Sequence, residues 1–214
     1  MTTIVIIDYG SGNVRSVGRA LSSSAASCGL ALSTTVTSDP DLIRRADRIV
    51  LPGVGHFADC VDGLRSRTGV VDAMTEAVFV RGAPFLGICV GMQLLADVGR
   101  EDVERPGLGW ISGAVERIEP DKPALPVPHM GWNTLSLAAP HPVLDRLGGE
   151  PHVYFTHSYA FTPANPADIA AVTDYGGAIT SAVARDNLFG AQFHPEKSQQ
   201  TGQKVLANFL NWRP

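Results

Sequence analysis

Cys89 sits between two glycines in Pro84-Phe85-Leu86-Gly87-Ile88-Cys89-Val90-Gly91-Met92-Gln93, where an apolar, strand-like run gives way to a helix-like one that carries on through Leu94 and Leu95 to Val98. A side chain on such a strand-turn-helix corner is held strained and exposed at the carboxyl edge of a sheet, and flanking glycines give the backbone room to turn. The helix start adds partial positive charge beside the sulfur. Cys89 is therefore the candidate nucleophile. A thiol working near neutral pH needs a base, and the base needs an orienting partner. Gln192-Phe193-His194-Pro195-Glu196-Lys197-Ser198 offers both. Pro195 fixes the backbone after His194, and Glu196 is placed to hold one imidazole nitrogen while the other faces Cys89. Acyl transfer also needs donors for a developing oxyanion. Pro52-Gly53-Val54-Gly55, directly after an apolar run ending at Leu51, is a glycine-rich turn whose N–H groups can supply them at the same sheet edge.

Each element alone has a plainer explanation: an inert buried cysteine, a structural histidine, an ordinary turn. Their joint occurrence favours the catalytic reading. Cys28 and Cys60 lie in helical patterns without a glycine corner and read as core. His56, His129, His141, His152 and His157 show no zinc-type spacing, so no metal site is expected. Gly10-Ser11-Gly12 lacks the third glycine of a dinucleotide loop, and no cofactor is expected.

The elements that must position these groups follow from hydrophobic pattern. Apolar, β-branched runs at 4–7, 31–36, 48–51 and 83–88 alternate with helical patterns at 14–27, 57–64 and 70–80, which argues βαβ units and a parallel sheet. Beyond Gly99 come shorter strand-like pieces at 114–118, 153–155, 169–172, 182–184 and 188–193, broken by Pro and Gly, which predict antiparallel strands and long loops. Val205, Leu206, Phe209 and Leu210 fall at helical spacing, so the tail is expected to dock as a closing helix. The prediction is one α/β domain over residues 1–214, with a mostly parallel central sheet flanked by helices and an added antiparallel portion. At 44% hydrophobic residues the chain can bury a sizeable core, and a net charge of -4 with scattered Lys and Arg leaves no footprint for nucleic acid or an anionic membrane. No apolar stretch approaches the roughly 20 residues of a membrane span. The start Met1-Thr2-Thr3-Ile4 reads as a first strand, and three widely spaced cysteines suit a reducing cytosol, so a cytoplasmic location is expected.

Gly87-Ile88-Cys89-Val90-Gly91-Met92-Gln93 and His194-Pro195-Glu196 closely resemble the class I (triad) glutamine amidotransferases, whose fold is flavodoxin-like. Within that family Asp8-Tyr9-Gly10-Ser11-Gly12-Asn13, Pro52-Gly53-Val54-Gly55, Pro128-His129-Met130-Gly131-Trp132-Asn133 and His157-Ser158-Tyr159 are similar to the glutaminase subunits of imidazole glycerol phosphate synthases. The resemblance implies that Cys89 attacks the side-chain amide of L-glutamine, that His194 relays protons and that Glu196 orients His194. It implies an oxyanion hole from the N–H groups of Val90 and of Val54 or Gly55, and a glutamine site formed by Gln93, Ser158, Tyr159 and Gly55. It further implies a partner, a (β/α)8 cyclase subunit that receives the ammonia for histidine and purine synthesis. Ammonia freed into water would become unreactive ammonium, and a chain of this length leaves no room for an acceptor domain. Asn13, Trp132, Tyr154 and Lys197 match positions expected to face the cyclase. Family glutaminases of this kind are nearly silent alone. Gly53 and Gly55 would permit a peptide flip turning an N–H toward the oxyanion, a population shift of the turn. Departures are Val90 where leucine is frequent, His56 where a small residue is common, and the serine-rich end of the first helix. Alternatives are the ammonia donor of a purine, pyridoxal phosphate or anthranilate synthase, against which residues 128–133 argue; a silent scaffold protein; and a cysteine peptidase on the same elbow.

Overall fold

The computed structural model describes residues 2–121 and 125–214. The strands are β1 (Thr2–Ile7), β2 (Leu32–Thr37), β3 (Arg48–Gly53), β4 (Phe85–Cys89), β5 (Val98–Glu101), β6 (Val103–Pro106), β7 (Gly113–Arg117), β8 (His129–Thr134), β9 (Ser136–Leu137), β10 (His152–His157), β11 (Tyr159–Pro163), β12 (Ile169–Asp174), β13 (Ala178–Arg185) and β14 (Leu188–Ala191). The α-helices are α1 (Val14–Ser27), α2 (Pro40–Arg45), α3 (Phe57–Arg65), α4 (Val70–Thr75), α5 (Val90–Gln93) and α6 (Gln199–Asn211). An eight-stranded sheet runs β2-β1-β3-β4-β14-β13-β12-β9. Its first five strands pair in parallel and the remainder antiparallel. A four-stranded sheet (β11-β7-β5-β6) and a two-stranded ribbon (β8 with β10) complete the fold.

Central position explains the composition of β3 and β4: every residue of both is buried, so both read as apolar runs, save for Arg48 at the start of β3, which donates to the Trp212 carbonyl at 2.7 Å. At the start of α1, Asn13 accepts the Ser16 N–H at 3.3 Å, and the helix turns Val17, Leu21 and Ala25 inward. The closing helix α6 buries Val205, Leu206, Phe209 and Leu210, the four positions its spacing marked, and packs beside α1. Each apolar side chain buried this way contributes about 1.5–3 kcal/mol relative to exposure. No helix among the described residues is long and apolar enough to cross a membrane.

Two local expectations fail, and one short helix was not anticipated. The helix after Cys89 is a single turn, Val90–Gln93, and the chain then bends into β5. Leu94, Leu95 and Ala96 are wholly buried, so their apolar run imitates a helix. Their carbonyls are taken by the 107–111 loop: Leu108 N–H donates to Leu94 at 2.7 Å, Gly109 to Ala96 at 3.0 Å and Trp110 to Leu95 at 2.9 Å. Cys28 caps the end of α1 and is exposed, whereas Cys60 is buried in α3 as expected. The short α2 is absent from the hydrophobic pattern because six residues give no periodicity. Its local signal is the Asp39-Pro40 pair, in which Asp39 accepts the Asp41 N–H at 2.8 Å.

Candidate active site

The corner at Cys89 is set by crowding. Cys89 itself carries the unusual backbone, φ 54 and ψ -115, a conformation an L-residue holds only when its surroundings over-determine it. A Cβ added at Gly91 would lie 1.8 Å from the Leu51 carbonyl oxygen, and one at Gly87 would lie 2.5 Å from the Gly91 carbonyl oxygen. The glycines therefore serve close approach of α5 to β3, while the turn's positive φ falls on the cysteine. Cys89 is only 4% exposed, less open than the sequence implied, and its remaining access is into a cavity of about 530 Å³. With α5 reduced to one turn, a long helix dipole is replaced by the partnerless N–H groups of a helix start, of which Val90 supplies the first.

His194 reaches the same cavity from the end of β14, where the chain leaves the sheet and the His194 N–H donates to the Tyr154 carbonyl at 3.0 Å. Its Nδ1 lies 2.8 Å from Glu196 Oε1, both side chains being 2% exposed. Nε2 and Glu196 Oε2 are buried without a hydrogen-bond partner. Buried polar atoms are almost always paired, so a lone ring nitrogen beside a cavity is free for incoming chemistry. Burial pushes the His194 pKa down, but the neighbouring Cys89 sulfur and the Glu196 carboxylate outweigh it and bring it to about 9. The imidazole is thus a stronger base than a free one, suited to taking up a proton from a neighbouring group.

Across from the corner lies the 52–55 turn. Val54 is 41% exposed, and Gly55 has φ +97 with nothing within 4 Å of an added Cβ. Two side chains hold the Val54 peptide groups. The Ser11 hydroxyl donates to the Val54 carbonyl at 2.6 Å and accepts the Val54 N–H at 3.3 Å. The Cys60 thiol, 3.3 Å from Ser11 Oγ, approaches the same carbonyl at 3.5 Å. Burial raises the Cys60 thiol and, more strongly, the Tyr9 phenol, whose hydroxyl donates to the Pro52 carbonyl at 2.8 Å. His56, next in the chain, turns away to Asp102, with Nε2 at 3.1 Å from its carboxylate.

Asn13, Val54, Gly55, Cys89, Val90, Gln93, Ser158, Tyr159, His194 and Lys197 all line the cavity. Gln93 is 3% exposed, and its amide nitrogen is committed inward, donating to the Tyr159 carbonyl and to Gln192 Oε1, each at 2.9 Å. Only its carbonyl oxygen is left for a ligand. At the cavity mouth Lys197 Nζ stands 5.6 Å over the Tyr154 ring, and Trp132 packs edge-on to Tyr154 at 6.0 Å. These two aromatics pair across the β8–β10 ribbon on its outer face, where Met130 is 62% and Trp132 48% exposed. Sequence reasoning missed Gln192, whose Nε2 donates to the Cys89 sulfur at 3.7 Å, and Ser11. Gln192 could have been flagged by its neighbour His194, since a buried strand end next to a candidate base is a poor place for an idle amide.

The family described as glutamine amidotransferase class-I matches residues 5–212. An imidazole glycerol phosphate synthase subunit HisH from Caulobacter vibrioides is 53% identical over 214 residues, covering all of both chains. The HisH subunit from Rhodospirillum rubrum is 53% identical over 212 residues, covering 99% of each. Among solved structures, one titled glutamine amidotransferase superposes with TM-score 0.70 at 19% identity, covering 97% of each chain. A glutamine amidotransferase from Thermotoga maritima gives 0.64 at 15% identity, covering 95% of this chain and 80% of its own. At those identities the two structures speak to the fold alone. A strained cysteine corner, an imidazole held by a carboxylate and full-length identity above half together decide the matter: the chain belongs to the class I glutamine amidotransferases, in the branch represented by the HisH subunits.

Proposed function

We propose that residues 1–214 act as one glutaminase domain that hydrolyses L-glutamine to glutamate and ammonia and hands the ammonia to a (β/α)8 cyclase subunit of an imidazole glycerol phosphate synthase. The observation that carries it is the convergence on one cavity of Cys89, on its strained corner, and a buried His194 whose Nε2 is unpartnered and whose Nδ1 is held by Glu196.

The Cys89 sulfur, its proton passed to His194, attacks the side-chain carbonyl carbon of glutamine. The C–S bond forms and the carbonyl electrons move onto oxygen, where the Val90 N–H and an N–H of Val54 or Gly55 stabilise them. Collapse breaks the C–N bond, and His194 gives its proton to the departing ammonia. The neutral ring then takes a proton from water, which attacks the thioester and releases glutamate. Glu196 keeps Nε2 aimed at this exchange and stabilises the imidazolium. The Gln93 carbonyl oxygen, Ser158 and Tyr159 bind the amino-acid end of the substrate. In the present conformation the Val54 N–H is occupied by Ser11, a resting arrangement that suits a glutaminase switched on by its partner.

Asn13, Trp132, Tyr154 and Lys197 form the docking surface around the cavity mouth, so ammonia leaves into the cyclase rather than into water. The exposed Met130 and Trp132 support an interface there, since a contiguous apolar patch at a polar rim marks a binding site. A cytoplasmic location follows from the metabolites involved. The test is glutamine hydrolysis by the chain alone and with the co-expressed cyclase. Glutamate production that rises on complex formation is the expected result, and a chain inactive in both settings would end this reading.

A further inference from the structure

Hydrogen bonds run without a break from the β8–β10 ribbon to the nucleophile. Asn133 Nδ2 lies 3.3 Å from His129 Nε2, His129 Nδ1 lies 3.0 Å from His157 Nε2, and His157 Nδ1 lies 2.9 Å from the Tyr159 carbonyl oxygen. The far end fixes the tautomers. A carbonyl only accepts, so His157 carries its proton on Nδ1 and accepts at Nε2. His129 must then donate from Nδ1 and accept the Asn133 amide at Nε2. Tyr159 also receives Gln93 Nε2, which donates on to Gln192 Oε1, and Gln192 Nε2 donates to the Cys89 sulfur. Every link has one donor and one acceptor, and all can be satisfied at once.

We propose that His129, His157 and Gln192 are positioning residues that hold the Cys89 sulfur in attacking orientation through this chain. The inference rests on the glutaminase reading above. Both rings must be neutral for it, and burial lowers each to about 4. His129 is 2% exposed and sandwiched between Phe155 at 4.6 Å and Tyr175 at 4.0 Å, so its ring cannot swing to another partner. Because the chain is buried, loss of one donor leaves its acceptor unsatisfied, and the groups joined through the shared Tyr159 carbonyl shift to re-pair it. Gln192 is wholly buried, and its amide is the last link to the sulfur. The head of the chain stands on the inner face of the ribbon whose outer face bears Met130 and Trp132, so a partner seated on the outer face presses on the same two strands.

Packing alone makes a different prediction. His129→Leu fills the aromatic sandwich but cannot donate, whereas His129→Asn donates from the Nδ1 position and stacks poorly. In the complex with the cyclase, kcat for glutamine hydrolysis is expected to fall about tenfold in His129→Leu and about twofold in His129→Asn, with KM within threefold of wild type in both. Gln192→Met, similar in length and without a donor, should lower kcat about ten- to a hundredfold, again with little change in KM. If His129→Leu equals or exceeds His129→Asn, or if Gln192→Met keeps full kcat, the proposal is overturned. Nitrogen-15 spectra of the unaltered protein at neutral pH decide it independently of activity and of variant folding. Both rings should be neutral with the proton on Nδ1, and a proton on Nε2 of either ring would break the chain. A wild-type complex without glutaminase activity would end the functional reading and leave these spectra as the arbiter of the inference.

Discussion

The two glycine-rich turns that face each other across the cavity are held in opposite ways. At Cys89 the backbone is strained, buried and pinned, since an added atom at Gly91 or Gly87 meets main chain well inside contact distance. At Val54 and Gly55 the backbone is exposed, with open space around Gly55, and its peptide groups are held by the Ser11 hydroxyl and the Cys60 thiol. Cys89 is fixed by packing, which has no low-energy alternative, while the Val54 peptide is set by a few hydrogen bonds worth about 0.5–1.5 kcal/mol each. A protein regulated at this site would therefore change the second turn and leave the first alone.

On the fixed side, Glu196→Gln removes the carboxylate that sets the tautomer and charge of His194, and glutaminase kcat should fall about a thousandfold or more while the fold survives. A loss under tenfold, measured by glutamate release in the complex, would show that the imidazole is oriented by something else. Gly91→Ala should also disable the site, by about a hundredfold or more in kcat, because an added Cβ 1.8 Å from the Leu51 carbonyl oxygen forces the elbow well away from Leu51. An active Gly91→Ala protein would mean that the corner tolerates movement and that the two turns do not differ in this way. On the adjustable side the sign reverses. Ser11→Ala releases the Val54 peptide, so glutamine hydrolysis by the free chain should rise about three- to tenfold, with the rate of the complex within twofold. A fall in the free chain's rate would assign Ser11 to the active geometry rather than the resting one.

The pH dependence of stability separates His194 from the other buried histidines. His194 is raised to about 9 in the folded state from 6.5, so its contribution is complete below pH 6.5 and is lost as pH rises toward 9. His129, His141 and His157 are lowered by burial to about 4, so what they contribute is present above pH 6.5 and is lost as pH falls toward 4. Thermal unfolding should therefore show a maximum near pH 6.5, steeper on the acid side, where three histidines resist protonation together. In Glu196→Gln the alkaline limb should flatten and the acid limb should not. An unchanged alkaline limb would detach it from His194.

The parallel half was legible because a strand buried on both faces, such as β4, or β3 beyond Arg48, reads as a continuous apolar run, and because α1 and α6 show one face to the core. The pieces beyond Gly99 were harder. Strand β6 is exposed at every residue, and β8 turns Met130 and Trp132 outward while burying His129, so neither shows the usual apolar-inward period. The helix read through Leu94 to Val98 failed because wholly buried residues look the same whether helical or looped, and the deciding groups are carbonyls that the 107–111 loop claims from far along the chain. At the site, residue types and glycine corners pointed to Cys89, His194 and Glu196, whose meeting needs only the carboxyl edge of one sheet. The roles of Ser11 and Gln192 depend on which hydroxyl or amide lies within 4 Å of a given atom, and no pattern of side-chain types encodes that.

The proposed function turns on a covalent glutamyl thioester at Cys89. Rapid acid quench of the complex during glutamine turnover, followed by mass spectrometry of the Cys89 peptide, should find the glutamyl group on that sulfur at a level that rises with glutamine and vanishes in Cys89→Ser. Undiminished glutamine hydrolysis in Cys89→Ser, or an adduct located on Cys60 or Cys28, would contradict it.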